Sequence, residues 1–154
     1  MIRPARFSDI PQLLHLAQTT LGRSRYDAQV DAPVFKALAL EWINQQQDKP
    51  GQGMAFVSDN GTSIDGVFAG VVRPLYECIN VFTAANLLWC VADGAKGNTA
   101  VKLLKAFEAW ANRADGKVLH RYAVSDAIMN PEQFVPLFER MGYRKSALIF
   151  EKEA

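Results

Sequence analysis

The sequence predicts a single α+β domain, in which helices flank a mixed, mostly antiparallel sheet. Its 154 residues, of which 49% are hydrophobic, match one domain with one core, so residues 1–154 are expected to fold together. Segments with a helical period alternate with short apolar segments rich in Val and Phe. The Asn60-Gly61 pair between two of those segments is the strongest short signal for a hairpin.

The first predicted helix begins near Ser8 or Asp9, either of which can cap it, and has Pro11 in its first turn. Gly22 ends it. Its apolar side consists of Ile10, Leu13, Leu14, Leu16, Ala17 and Leu21.

A second helix is predicted from about Pro33 to Gln46 and stops before Lys49-Pro50-Gly51. Val34, Leu38 and Trp42 stand at helical spacing, with Phe35 and Ile43 beside them, and should form its buried side.

The period then changes to that of strands. The later predicted elements are strands at Gly53 to Ser58, Gly66 to Arg73 and Ile79 to Val91, a helix at about 98 to 114, a strand at Lys117 to Val124, a short helix at Pro131 to Met141 despite Pro136, and a last strand at Tyr143 to Glu151.

Charge and hydropathy exclude several classes of protein. The net charge of +1 is spread along the chain, so nucleic acid is an unlikely partner. No apolar run approaches the roughly 20 residues of a membrane span, and Asp9 and Pro11 stand where a signal peptide would be apolar. The sequence therefore indicates a soluble, cytoplasmic protein with no membrane partner.

The cysteines and histidines give no sign of a metal site. Cys78 and Cys90 lie in strand-like sequence without C-x-x-C spacing and should be buried free thiols. His15 and His120 are far apart and have no ligand-like neighbours, so no metal is expected. We expect His15 on a helix surface and His120 as a hydrogen-bonded strand residue.

Residues 86–111 are the most informative part of the chain, because an apolar strand leads through a Gly-rich turn into an amphipathic helix. The first N–H groups of such a helix lack intrahelical partners and carry partial positive charge, which suits a pyrophosphate. The alternative is a plain turn in which Asn98 or Thr99 caps the helix and satisfies the same N–H groups.

This stretch resembles the acyl-CoA-binding motif of the GNAT superfamily of N-acyltransferases. Leu87 to Val91 match its strand, Gly97 to Ala100 its loop, and Leu103 to Ala111 its helix, which reads L-L-x-x-x-E-x-W-A. The loop departs from the family pattern, since Asp93 replaces a usual proline and Ala95 or Lys96 a usual arginine. Two further segments resemble the family's first strand with its helix start and its terminal element: Ile2-Arg3-Pro4-Ala5 with Ser8 to Pro11, and Phe138 to Tyr143.

The resemblance implies an N-acetyltransferase that uses acetyl-CoA as co-substrate and moves the acetyl group to an amine by direct attack. It implies that the fourth and fifth strands splay apart to admit the pantetheine arm. The expected CoA-binding residues are Val91, Lys96, Gly97, Asn98, Thr99, Ala100 and Val101, with Lys96 adding a charge and Thr99 a hydroxyl.

The expected catalytic residues are altered. Asn86 occupies the strand position where the family often has a Glu base, and Phe138 occupies the position of its Tyr acid. Tyr122 and Ser125 are the nearest replacements, followed by Asp126, although a core tyrosine and a turn serine are the commoner roles of such residues. A water chain, slow turnover, or binding of acyl-CoA without turnover all remain open.

No motif in the sequence identifies the amine acceptor or the oligomeric state. A polar loop at Arg23, Arg25, Tyr26 and Asp27 would suit a carboxylate or phosphate if it bordered the acceptor, or would simply be solvated. The rival to an enzyme is a CoA-binding or interaction protein. The oligomeric state is open, with a homodimer as one alternative.

Overall fold

The computed structural model describes residues 1–44 and 53–154. These residues form two compact units, 1–123 and 124–154. The end of the second predicted helix, at Gln46, and its stop signal at 49–51 lie outside the described residues.

Residues 1–123 form a five-stranded sheet whose spatial order follows the sequence. The elements are β1 (Ile2–Pro4), α1 (Ile10–Gly22), α2 (Ala32–Asn44), β2 (Gly53–Asp59), β3 (Ile64–Pro74), β4 (Val81–Val91), α3 (Thr99–Ala111) and β5 (Lys117–His120). Short 3₁₀ helices lie at Phe7–Asp9 and Leu75–Glu77. The first three strand pairs are antiparallel and β4–β5 is parallel, which confirms the predicted mixed, mostly antiparallel sheet.

Successive side chains of β3 point to opposite faces of the sheet, and different helices pack on the two faces. Val67 and Ala69 join the core formed with α1 and α2. Phe68 faces the other way and packs its ring on Phe107 of α3, with centroids 4.8 Å apart. On that face Gly70 has no room for a side chain, since a Cβ would lie 2.5 Å from the Phe107 ring. The period-2 pattern of β3 thus serves two cores.

The hairpin predicted at Asn60-Gly61 is confirmed. Asn60 N–H donates to the Ser63 carbonyl, and the Asn60 side chain accepts from Thr62 N–H and Ser63 N–H. Gly61 has φ +96°, a conformation that favours glycine.

A partly buried ion-pair cluster around Arg3 holds the N-terminal strand in place. Arg3 donates to both Asp9 carboxylate oxygens at 2.8 and 3.0 Å and to Asp59 at 2.9 Å. Asp9 also accepts the Arg6 N–H, so its carboxylate does not cap α1 as predicted. Burial alone would raise the pKa of Asp9, but the bonds from Arg3 and Arg6 outweigh it and lower the pKa.

The buried side of α2 differs from the prediction. Phe35, Ala39 and Trp42 are buried, whereas Val34 and Leu38 are exposed. The predicted buried stripe was therefore wrong at Val34 and Leu38, because the residues that follow them, Phe35 and Ala39, are the buried ones. Both stripes have helical spacing, so only the packing of Phe35 against Trp42, edge to face at 6.1 Å, decides between them.

Residues 124–154 contain a 3₁₀ helix at Pro131–Phe134 and α4 (Val135–Arg140). Pro136 is accommodated because it falls in the first turn of α4, where its missing N–H costs nothing. The strand predicted at Tyr143 to Glu151 is not confirmed, since the structure assigns no strand to these residues in the unit 124–154, and Leu148, Ile149 and Phe150 are exposed.

Three smaller expectations are resolved. Both cysteines are free thiols, but only Cys90 is buried and Cys78 is exposed beside the 3₁₀ helix at 75–77, so the prediction for Cys78 was wrong. His15 lies on the surface of α1, as predicted. Within residues 1–44 and 53–154, no helix is long and apolar enough to cross a bilayer.

Candidate functional site

The turn between β4 and α3 leaves helix donors open. Thr99 N–H donates to the Lys96 carbonyl at 2.9 Å, and Lys102 N–H donates to Asn98 at 3.0 Å. Among the described residues, the other N–H groups from Lys96 to Val101 have no hydrogen bond. The turn therefore presents five backbone donors at the positive end of a helix, which is the arrangement that binds anions.

The side chains around these donors leave space. A Cβ at Gly97 would meet no atom within 4 Å, and Lys96 and Asn98 are exposed. Asn98 is the N-cap residue but makes no side-chain cap bond, so the alternative in which Asn98 satisfies these donors is wrong. An anion could approach the backbone without a steric barrier.

Among the predicted binding residues Thr99 is buried, whereas Val91, Ala100 and Val101 are partly buried. Val91 ends β4 opposite Gly66 of β3. Thr99 is buried, and its methyl group lies toward Gly66, where a Cβ would be 3.1 Å away. The contribution of the Thr99 hydroxyl to CoA binding stays a prediction.

Asn86 has both ends of its amide engaged. Its Oδ1 accepts the Ala123 N–H at 2.8 Å, and its Nδ2 donates to the Ala123 carbonyl at 3.0 Å. An amide is not a base near neutral pH. We therefore assign Asn86 a bridging contact between β4 and the segment after β5.

Tyr122 and His120 form a hydrogen-bonded pair beneath α3. The Tyr122 hydroxyl lies 2.7 Å from His120 Nδ1, and His120 Nε2 lies 2.7 Å from Asn112 Oδ1. With Oδ1 as acceptor, Nε2 carries the proton and Nδ1 accepts from the tyrosine hydroxyl. His120 is thus the hydrogen-bonded strand histidine that the sequence predicted.

The surroundings of this pair shift its titration. Burial lowers the pKa of His120, so the imidazole favours the neutral form. Burial, and then the Glu108 carboxylate, raise the pKa of Tyr122. Asn112 follows the end of α3, about 20 Å along the helix from Asn98. The pair therefore belongs to the far end of α3, and sequence reasoning missed Asn112 and Glu108 because these contacts are tertiary.

The pair predicts a pH dependence of stability. The folded pKa of His120 is below its unfolded value of about 6.5, so the free energy of unfolding should fall as pH drops below that value. Thermal unfolding between pH 8 and 5 measures this, with His120→Gln expected to reduce the slope. Burial raises the pKa of the neighbouring Glu108, which acts in the opposite direction in both proteins, so the difference between them isolates His120. His15→Gln, on the α1 surface, is the control, and an equal slope in all three proteins would contradict the assignment.

Two other predicted residues lie in the unit 124–154. Ser125 is exposed, and its Oγ accepts the Ala127 N–H at 3.3 Å, as in a serine turn. Phe138 of α4 packs edge to face on Tyr143, with centroids 5.3 Å apart.

The polar loop after α1 reaches the candidate turn. Arg23 forms an ion pair with Asp93, which lies in the turn between β4 and α3, and both side chains are exposed. Arg25 stacks over the Tyr26 ring at 4.4 Å. Arg23 and Asp93 are 70 positions apart in the sequence, so sequence spacing could not reveal their contact.

The described residues contain no group of three or more His, Cys, Asp or Glu side chains suited to hold a metal ion.

Comparison with solved structures identifies the fold. A GNAT family acetyltransferase from Staphylococcus aureus superposes with a TM-score of 0.62 at 16% identity, over 100% of this chain and 98% of that one. An aminoglycoside N-acetyltransferase in complex with CoA gives 0.68 at 14%, over 99% and 93%. A transcriptional regulator from Bacillus halodurans gives 0.73 at 18%, over 100% and 99%. The chain has the GNAT fold, as the resemblance predicted.

No protein-family model matches the sequence, and no curated protein matches it.

Proposed function

We propose that the chain binds acetyl-CoA at the turn 93–101 and transfers the acetyl group to an amine. The observation that carries the proposal is the row of unbonded N–H groups from Lys96 to Val101 around an open Gly97. The GNAT fold supports it, since one solved neighbour is an N-acetyltransferase in complex with CoA. The pyrophosphate would lie on these donors, with Lys96 adding a positive charge.

The pantetheine arm would then run back along β4. The arm, with its two amide groups, is about as long as five residues of extended chain. β4 covers that distance between Val91 and Asn86. The thioester would therefore lie near the point where β4 parts from β5.

Transfer by direct attack needs a neutral amine. Its nitrogen adds to the thioester carbonyl carbon and becomes positively charged, and the tetrahedral oxyanion collapses as the C–S bond breaks. The nitrogen then loses a proton to water or to the departing thiolate, which yields a neutral amide and CoA. Asn86 cannot take the proton that the amine nitrogen loses. The acceptor would therefore bind already deprotonated, or lose its proton to water.

The rival function is a binding module that holds acyl-CoA without turning it over. The specific observation in its favour concerns Asn86, which stands at the position of the base. Both the Nδ2 and the Oδ1 of its amide are hydrogen-bonded to the backbone of Ala123. Phe138 cannot donate a proton to the leaving thiolate.

Titration calorimetry and a thiol-release assay test the proposal. Wild type should bind acetyl-CoA at submillimolar concentration, and absence of heat at millimolar ligand would refute it. Transfer to amines, peptides and nucleotides should rise from pH 7 to 9.5 toward the acceptor's own pKa, because Asn86 cannot act as the base. Binding with no transfer above background would favour the rival, and a pH-independent rate would show that another group acts as base.

A further inference from the structure

The ladder between β4 and β5 ends with the last residue of β5 but well before the end of β4. Its last residue pair is Ala84 with His120, followed by one bond from Arg121 N–H to the Ala84 carbonyl at 2.8 Å. β4 itself continues to Val91, still paired with β3. The two chains therefore part just beyond Ala84.

At the parting point a side chain replaces the backbone. In a parallel ladder the next bond after Arg121 to Ala84 would join Ala123 N–H to the main-chain carbonyl of residue 86. The structure instead has Ala123 bonded at N–H and C=O to the Asn86 side chain, at 2.8 and 3.0 Å. The two main chains are thus held apart by the length of an asparagine side chain.

A bulge aims this side chain. Ala69 of β3 pairs with Leu88, but Gly70 pairs with Asn86, so Leu87 is an extra residue on β4. Bulges re-aim neighbouring side chains and bend the strand. The position is firmly supported, because Phe107 of α3 packs where a side chain of Gly70 would stand.

We propose that Asn86 is a positioning residue that sets the width of the gap between β4 and residue 123, and thereby limits the acyl group to about the size of acetyl. The inference rests on the proposed function, since it places the thioester at the end of the arm near Asn86. The bridge closes the narrow end of the gap, so a longer acyl chain would have to displace it. Truncation of Asn86 removes both bonds and opens that space.

Titration of wild type and Asn86→Ala with CoA and with acetyl-, butyryl- and hexanoyl-CoA tests the proposal. Affinity of wild type should fall with chain length. In the variant the affinity for butyryl-CoA relative to acetyl-CoA should rise at least tenfold, while affinity for CoA itself changes less than about threefold, since the pyrophosphate donors are untouched.

Gln12→Ala is the matched control. Gln12 Oε1 accepts the Ile64 N–H at 2.7 Å, a similar side-chain bond to the backbone that joins α1 to β3. Its loss should lower stability without changing the preference for chain length, so a purely structural role of Asn86 would give the Gln12→Ala result.

Asn86→Asp provides a second variant in case Asn86→Ala does not fold. It keeps an acceptor for Ala123 N–H but places a carboxylate oxygen against the Ala123 carbonyl, so the preference should shift in the same direction by a smaller factor. If wild type binds no CoA, the proposed function fails. If wild type binds CoA and the folded variants keep its chain-length preference, this inference alone is overturned.

Discussion

Gly97→Glu should abolish measurable CoA binding while the protein stays folded. The new carboxylate would stand among the open N–H groups of the turn, where it would fill the space of the pyrophosphate and repel it. Juxtaposed like charges cost several kcal/mol, so we expect a loss of affinity of about 100-fold or more. Titration calorimetry measures the loss, and thermal unfolding checks the fold.

Two substitutions at the same position separate bulk from charge. Gly97→Ala should bind nearly as wild type, because a Cβ there meets no atom within 4 Å. Gly97→Gln has the size of glutamate without its charge and should lie between the two. Normal affinity in a folded Gly97→Glu protein would place the phosphate site elsewhere.

Arg3→Leu should destabilise the fold more than the loss of any surface ion pair. It leaves the Asp9 carboxylate, whose side chain is only 6% exposed, without its bidentate partner. Breaking a buried pair from one side costs about 3–5 kcal/mol. Urea unfolding at pH 7 measures the change.

Two controls accompany Arg3→Leu: unfolding at low pH, and removal of an exposed ion pair. The folded pKa values of Asp9 and Asp59 are below their usual value of 3.8, so wild type should lose stability as pH falls through that region and below. The variant should lose less there. Arg23→Gln, which removes the exposed pair with Asp93, should cost at most about 1 kcal/mol. Equal effects of the two substitutions at pH 7 would contradict the assignment.

The sequence predicted those parts of the fold that depend on short-range pattern. The helix after Gly97 and the hairpin at Asn60-Gly61 were recognisable because local spacing and turn chemistry determine them. The open N–H groups of the turn before α3 could be anticipated for the same reason, since a helix N-terminus always carries its donors. Binding of an anion at these groups stays a prediction.

The remaining features depend on contacts that the sequence does not contain. Local pattern could not show that the Asn86 side chain would form hydrogen bonds with the backbone of Ala123, which lies 37 residues later in the sequence. Nor could it choose between two helical stripes on α2, or show that no strand is assigned at Tyr143 to Glu151. Asn86 was identified by its place in a motif, but its contacts came only from the structure.

Because one cysteine thiol is exposed and the other is buried, thiol labelling of the unmodified protein can measure local opening of the sheet. The sequence has two cysteines. Cys78 is exposed, so a maleimide dye should attach there at once without any engineered site. Cys90 is buried in β4, and burial raises the pKa of its thiol, so it can be alkylated only when the sheet opens around it. The rate at which a second label enters would therefore time the opening of β4, the strand that also carries Asn86.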